Sequence, residues 1–238
     1  MAAKVTGDIL IGLALAGVPA LGSDGRWFSL AVIVCAAAWR RHFRLGMVLA
    51  AYWVPTALGL PWPSSCLILA VAWALLRAPA IEPGSLTSLD RRAFAPSVAI
   101  GLLAGILVLV LGSEQIIGAL WFPAARPATA ILVTVAVLAA IANAFGEECV
   151  WRGFLPSCTR GGGTVWQIAV VSGSFGLAHF AGIPGGAVGM VASCAYAVAL
   201  TWMRIRWGFA IALAAHLATD LMIFIPIAIS AGFAFATG

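Results

Sequence analysis

Long apolar runs alternate with short polar segments along almost the whole chain. A helix needs about 20 apolar residues to cross a bilayer, and somewhat fewer where flanking side chains reach the interface. The runs of suitable length fall at 8–22, 27–39, 45–60, 64–77, 96–122, 128–158, 164–181, 185–203 and 207–236. The second and fourth runs are short, and each is compatible with a re-entrant segment or with part of a neighbouring span. The pattern therefore predicts an all-α, polytopic transmembrane helical bundle of eight or nine spans.

The composition places most of the protein surface in lipid rather than in water. Of the 238 residues, 63% are hydrophobic and 9% are charged, whereas an ordinary soluble domain is about 25% charged. The net charge of +5 does not indicate a nucleic-acid partner, because the basic residues stand in short clusters between apolar runs, as topology signals do. We expect a multi-pass integral protein of the cell membrane, and the glycine- and alanine-rich chain is typical of a prokaryote.

Lysine and arginine in the short loops predict the orientation, because cytoplasmic loops carry an excess of both. In a nine-span arrangement, one side of the membrane receives Lys4, Arg40, Arg41, Arg44, Arg77, Arg91, Arg92, Arg160, Arg204 and Arg206. The other side receives Arg26 and Arg126. The N-terminus is therefore predicted to be cytoplasmic.

Charged groups inside the apolar runs are few. The stretch ANAFGEECVWRGFL, residues 142–155, places Glu147, Glu148 and Arg152 within a predicted span. A charged side chain at the bilayer centre costs roughly 2.5–3.5 kcal/mol on insertion scales, so such residues usually mark function. Glu148 and Arg152 are four residues apart and can pair on one helix face. Glu147 is then left without a local cation, which suits a carboxylate for general acid–base chemistry.

Two histidines also lie inside apolar runs, His179 and His216, and Asp220 follows His216 by one helical turn. Between Glu147 and His179 stands the breaker RGGGT, residues 160–164. At ~1.5 Å per residue, Glu147 and His179 both lie roughly 20 to 24 Å from that turn. Two antiparallel helices joined there bring them to similar depth, so we predict that the acids and the histidines converge.

These residues fall in three short motifs in chain order. EECVWR, residues 147–152, fits E-E-x-x-x-R; FGLAH, residues 175–179, fits F-x-x-x-H; and HLATD, residues 216–220, fits H-x-x-x-N or D. The chain thus resembles the CPBP intramembrane proteases, the group of CAAX prenyl proteases and bacteriocin-processing, Abi-type glutamic endopeptidases. The resemblance covers residues 128–225. It implies a CPBP-like catalytic transmembrane core at 96–238, preceded at 1–95 by transmembrane helices without a recognised motif.

The resemblance also implies roles for individual residues. Glu147 activates a water molecule, and His179 shares that water or its proton. His216 and Asp220 hold the carbonyl oxygen as charge develops on it, or position the groups that do. Structural support of the site comes from Glu148, Arg152 and Phe175.

Asp220 departs from the pattern, because many family members have asparagine there. An asparagine amide can donate a hydrogen bond to an oxyanion, whereas an ionised aspartate only accepts. Either Asp220 is protonated, or it orients His216 and the imidazole donates. We favour the second alternative, because carboxylates commonly fix the tautomer of a histidine.

The function implied is an intramembrane endopeptidase without a cofactor, acting on a peptide or protein substrate with a membrane-anchored segment or a C-terminal signal. One alternative is a zinc-dependent intramembrane metalloprotease, since His179, His216 and a carboxylate match common zinc ligand types, although the chain lacks H-E-x-x-H. A proton-coupled transporter also uses intramembrane acids and histidines, but the chain shows no inverted repeat. The remaining alternative is a non-catalytic membrane scaffold or an immunity protein.

Overall fold

The computed structural model describes residues 9–15, 31, 34, 35, 54, 58, 68, 90–119, 128–159, 162–182 and 184–237. The predicted spans at 27–39, 45–60 and 64–77 lie almost wholly outside the described residues, as does most of the predicted N-terminal unit at 1–95. The division of the chain at residue 95 stays a prediction.

The described residues form helices and turns, and no strand occurs among them. In chain order the elements are α1 (Arg91–Ala119), α2 (Thr129–Glu148), a π-helical turn (Cys149–Phe154), α3 (Leu155–Thr159), α4 (Gly163–Ala178), a 3₁₀ turn (His179–Ala181), α5 (Gly186–Trp207) and α6 (Phe209–Thr237). The predicted all-α class is confirmed for this part of the chain. Within the described residues, the runs predicted at 96–122, 128–158, 185–203 and 207–236 contain the long helices α1, α2, α5 and α6.

Among the described residues, four helical stretches are long and apolar enough to cross a membrane: Arg91–Leu111, Thr129–Ser157, Gly186–Trp207 and Phe209–Ser230. The run predicted at 164–181 contains the shorter helix α4, which has 16 residues. Large apolar side chains on the outer faces of the long helices, such as Leu103 and Val110 of α1 and Leu138 of α2, are exposed. The chain is an integral membrane protein, and the described residues contain four of the eight or nine predicted spans.

Helix α6 packs against α1, α2 and α5, and α4 packs against α5. The contact between α1 and α6 is close because two glycines of α1 face it. A Cβ atom at Gly101 would overlap the carbonyl oxygen of Ala215, and one at Gly105 would lie 2.7 Å from Cβ of Met222. Small residues allow helix backbones to approach in this way within a membrane. The hydroxyl of Thr219 uses the proximity to donate to the carbonyl oxygen of Gly101 at 2.9 Å.

Glycine also occupies two helix boundaries at which φ is positive. Gly208 has φ +98° between α5 and α6, and its N–H donates to the carbonyl oxygen of Arg204. Gly163 has φ +79° at the start of α4, within the predicted RGGGT breaker. Residues with a side chain rarely adopt such φ values. The chain therefore reverses tightly between α5 and α6. Helix α6 carries His216.

Candidate active site

A π-helical turn, Cys149–Phe154, follows the two glutamates directly. Single π turns within α-helices occur frequently at functional sites. Across this turn, Nη1 of Arg152 lies 3.0 Å from Oε1 of Glu148, and both side chains are fully buried. The pair expected from the four-residue spacing is therefore present. The ion pair favours the charged form of Glu148, since a buried carboxylate needs a compensating cation.

Glu148 also holds His216 of α6. Nδ1 of His216 lies 2.7 Å from Oε1 of Glu148. Because an ionised carboxylate can only accept a hydrogen bond, Nδ1 carries the proton and donates it. Nε2 then faces two other acids, at 3.6 Å from Oε2 of Glu147 and 3.7 Å from Oδ1 of Asp220. The contact predicted between Asp220 and His216 spans 3.7 Å, which is too long for a hydrogen bond, and the hydrogen bond to the imidazole is made by Glu148 instead.

Asp220 has a different partner. Nδ2 of Asn143 donates to Oδ2 of Asp220 at 2.8 Å, and both residues are buried. Asn143 lies on α2, one turn before Glu147. An amide next to a buried carboxylate supplies a donor without adding charge. Sequence reasoning missed this residue.

The sequence nevertheless contains a signal for Asn143. It is the one asparagine in the chain, it stands within an apolar run, and it precedes Glu147 by four positions. A polar amide inside a membrane span is costly unless it has a partner. The spacing also places it on the same helix face as Glu147.

His179 lies in the 3₁₀ turn at the end of α4 and is half-buried. Its Nδ1 is 2.9 Å from the carbonyl oxygen of Phe175. A carbonyl can only accept, so Nδ1 carries a proton and Nε2 of the neutral ring has a free lone pair. The ring of Phe175 lies 4.4 Å from that of His179 and 6.2 Å from that of His216, centroid to centroid. One aromatic side chain thus contacts both imidazoles.

Phe175 also contacts the ion pair. The guanidinium carbon of Arg152 lies 4.5 Å from the centroid of the Phe175 ring, within cation–π range. The ring of Trp151 packs edge-on against it at 5.7 Å. Phe175 is buried by these contacts, and it therefore joins the glutamate helix to the end of α4.

Tyr196 and Thr219, which sequence reasoning did not single out, secure the other side of His216. The ring of Tyr196 meets the imidazole of His216 edge-on at 6.2 Å. Its hydroxyl hydrogen-bonds to the hydroxyl of Thr219, which in turn reaches Gly101 of α1. Helices α1, α5 and α6 are thereby tied together beside the imidazole.

Exposure distinguishes Glu147 from its neighbours. Its side chain retains 17% of its accessible surface, against 5% for His216, 6% for Asp220 and none for Glu148. The structure places five of the predicted residues in direct contact: Glu147, Glu148, Arg152, His216 and Asp220. His179 joins them through Phe175. Glu147 is thus the carboxylate of this group that is most open to a substrate.

A metal centre would need ligands arranged around one point. Within the described part of the chain, no three His, Cys, Asp or Glu side chains are placed so as to hold a metal ion together.

Comparison with known families gives a match to part of the chain. Residues 129–222 match the family described as type II CAAX prenyl endopeptidase Rce1-like. No curated protein and no solved structure matches the chain. The matched segment begins with α2 and ends in α6, so it includes every residue predicted for the site. Over this segment the chain is similar to the Rce1-like type II CAAX prenyl endopeptidases, the protease group that the three sequence motifs resemble.

Proposed function

We propose that the protein is an intramembrane glutamic endopeptidase that hydrolyses a peptide bond near the C-terminus of a membrane-anchored peptide. The family match supports a protease and a membrane-anchored substrate. The observation that carries the mechanism is the position of Glu147. It is the most exposed carboxylate of the cluster, and its Oε2 lies 3.6 Å from an imidazole that Glu148 holds in place.

Glu147 is the general base in this mechanism. Its carboxylate takes a proton from water, and the resulting hydroxide adds to the carbonyl carbon of the scissile peptide bond. Glu148 is unsuited to this task because Arg152 and His216 already occupy Oε1, and it is fully buried. His179 provides a second proton acceptor, since its Nδ1 is engaged with Phe175 and its Nε2 lone pair is free.

His216 stabilises the oxyanion that forms on the carbonyl oxygen. Three carboxylates surround the ring, so in this mechanism His216 is the imidazolium, with a proton on each nitrogen: Nδ1–H donates to Glu148, and Nε2–H points toward the side of Glu147 and Asp220. Both distances exceed that of a hydrogen bond, so this N–H is available to the substrate oxygen. A preorganised donor of this kind is usually a large part of catalysis in a water-poor site.

The proton held by Glu147 then passes to the leaving amide nitrogen. The carbon–nitrogen bond breaks, the oxyanion collapses to a carbonyl to give a carboxylic acid, and an amine-terminated peptide leaves; the acid then loses its proton to Glu147 or to water and becomes a carboxylate, and water deprotonates Glu147 for the next cycle. Protons and electrons balance with one water consumed. Lipid anchoring restricts the substrate to the membrane plane, where Glu147 meets it.

The test is the substitution Glu147→Gln in the full chain reconstituted in liposomes. The substrate is a fluorogenic peptide with a farnesylated C-terminal Cys-aliphatic-aliphatic-Met sequence, compared with an unprenylated peptide that carries a hydrophobic anchor. Because a general base contributes on the order of 10²–10⁴-fold, we expect kcat/KM to fall by about that factor. Cleavage is measured by mass spectrometry.

Asp90→Asn is the matched control, because Asp90 is exposed at the start of α1 and accepts a hydrogen bond from the N–H of Arg92. It loses a carboxylate outside the site and should cleave at the wild-type rate. Wild-type cleavage by Glu147→Gln would exclude Glu147 as the base. Cleavage of one of the two peptides alone identifies the anchor that the enzyme requires.

A further inference from the structure

Asn143 and Asp220 form a contact between α2 and α6 that the proposed mechanism does not use. The amide nitrogen of Asn143 is 2.8 Å from Oδ2 of Asp220, and 77 positions separate the two residues. Both residues are buried when the whole residue is considered, backbone included: Asn143 is 7% and Asp220 4% exposed. In so buried a place, the carboxylate depends on the amide as a donor.

The contact lies beside a second contact between the same two helices. Asn143 and Glu147 are four residues apart on α2, and His216 and Asp220 are four residues apart on α6. Glu147 faces His216, while Asn143 faces Asp220. A step of one turn toward the start of α2 thus matches a step of one turn toward the end of α6. The two helices run antiparallel, and the Asn143–Asp220 bond fixes their register one turn from Glu147.

We infer that Asn143 is a positioning residue of the site, whose amide holds Asp220 away from the reactive nitrogen of His216. This inference rests on the proposed function. Oδ2 of Asp220 is engaged by Asn143, and Oδ1 stays 3.7 Å from Nε2 of His216. Without the amide, the carboxylate is free to rotate and accept the Nε2 proton itself. That bond would occupy the donor that we assign to the substrate oxygen.

The first test is Asn143→Ala in the full chain, assayed with the farnesylated peptide and expressed per folded enzyme. We expect kcat to fall about tenfold or more, because small displacements at a reacting centre are costly, while KM changes less than threefold. The matched control is Ser97→Ala. It also removes a buried polar group, but Ser97 donates within its own helix to the carbonyl oxygen of Ala93. A wild-type kcat for Asn143→Ala overturns the inference.

A spectroscopic readout separates positioning from simple stabilisation. In ¹⁵N-histidine-labelled protein in lipid, His216 is assigned among the three histidines of the chain by His→Gln substitutions. Asn143→Ala should move the Nε2 resonance of His216, because that nitrogen gains Asp220 as a direct partner. Ser97→Ala should leave it in place. An unchanged resonance in Asn143→Ala overturns the inference even where kcat falls.

The exchanged pair, Asn143→Asp with Asp220→Asn, tests the same positioning role and does not require that Asn143→Ala folds. It retains an amide–carboxylate bond between α2 and α6 but removes the carboxylate from the face of His216. We expect thermal stability and kcat near those of the wild type, because no carboxylate at position 220 can then accept the Nε2 proton of His216. A stable exchanged pair whose kcat falls tenfold or more would show that capture of this proton by Asp220 is not the cause of the loss in Asn143→Ala, and the positioning role would be wrong.

The two proposals fail in different ways. If Glu147→Gln keeps its activity, the assigned base is wrong, while the resonance of His216 still reports on Asn143. If Glu147→Gln is inactive and Asn143→Ala behaves as the wild type in both readouts, the base stands and the positioning role does not.

Discussion

At the scale of single residues, the ion pair between Glu148 and Arg152 makes the most direct stability prediction. Both side chains are fully buried, and Nε and Nη2 of Arg152 have no hydrogen-bond acceptor among the described residues. Removing one partner of a buried pair leaves an uncompensated charge, which typically costs about 3–5 kcal/mol. We therefore expect Arg152→Met to lower the unfolding temperature in detergent strongly.

Arg206→Met serves as the control for that substitution, since Arg206 is exposed at the end of α5. Arg206→Met also removes one positive charge from a membrane helix, and we expect its unfolding temperature to lie within about one or two degrees of that of the wild type. Equal shifts for the two variants would show that Arg152 is not needed to neutralise Glu148. Cleavage should also fall in Arg152→Met, because Glu148 orients His216.

The charged members of the site could be predicted from the sequence because charge is conspicuous inside an apolar run. Their hydrogen-bond partners could not be predicted in the same way. The four-residue spacing places His216 and Asp220 on one face, but packing of α2 against α6 brings Glu148 closer to the imidazole. The role of Asn143 was not predicted, because an amide carries no charge and its partner Asp220 lies 77 positions away.

At the scale of helices, Gly101 of α1 is predicted to be intolerant of any side chain. A Cβ atom there would overlap the backbone of Ala215, the residue before His216. The backbone cannot rotate away as a side chain can, so α1 and α6 must separate. We expect Gly101→Ala to cost about 1–3 kcal/mol of stability, as overpacking does, and to reduce cleavage because His216 moves with α6.

Gly173→Ala is the matched control for that helix contact. Gly173 lies within α4, and a Cβ atom there has nothing within 4 Å. Alanine favours helix over glycine by about 1 kcal/mol, so this variant should unfold at or slightly above the wild-type temperature. The unfolding temperatures of the two variants are compared. If Gly101→Ala is as stable as Gly173→Ala, the close contact between α1 and α6 is contradicted.

Helix positions could be predicted from apolar length because lipid imposes that length on every span. The interruptions of these helices could not be predicted in this way. Nothing in CVWRGF marks a π turn, which lies where Arg152 contacts Glu148 and Phe175. Helix α4 ends at Ala178, three residues before the apolar run itself ends at 181.

At the scale of the whole molecule, helix directions can be combined with the loop charges. Gly101 and Gly105 of α1 meet successively later residues of α6, Ala215 and then Met222, so α1 and α6 run parallel. Helix α2 runs antiparallel to α6, and α5 reverses into α6 at Gly208. The beginnings of α1 and α6 therefore lie on the same side as the ends of α2 and α5.

This arrangement requires the short helix α4 and the turn after it to return the chain to the opposite side before α5. Sixteen residues at ~1.5 Å each give roughly 24 Å, less than the ~30 Å hydrocarbon core. His179 thus stands where regular helix ends within the membrane. Irregular backbone is tolerated at that depth only where protein covers it or a water-filled cavity adjoins it. An adjoining cavity of this kind is what a hydrolase needs beside Glu147.

The same directions predict the topology. Arg91, Arg92, Arg204 and Arg206 share one side, which an excess of basic residues marks as cytoplasmic. Single cysteines introduced by Ala128→Cys or Arg206→Cys, both at exposed positions, are tested in a chain whose five native cysteines are replaced by alanine. A membrane-impermeant maleimide added to intact cells should label the cysteine at 128, whereas the cysteine at 206 should react only after permeabilisation. The reverse pattern would place the ends of α2 and α5 outside the cell and contradict the orientation, and labelling of both positions from outside would contradict the helix directions themselves.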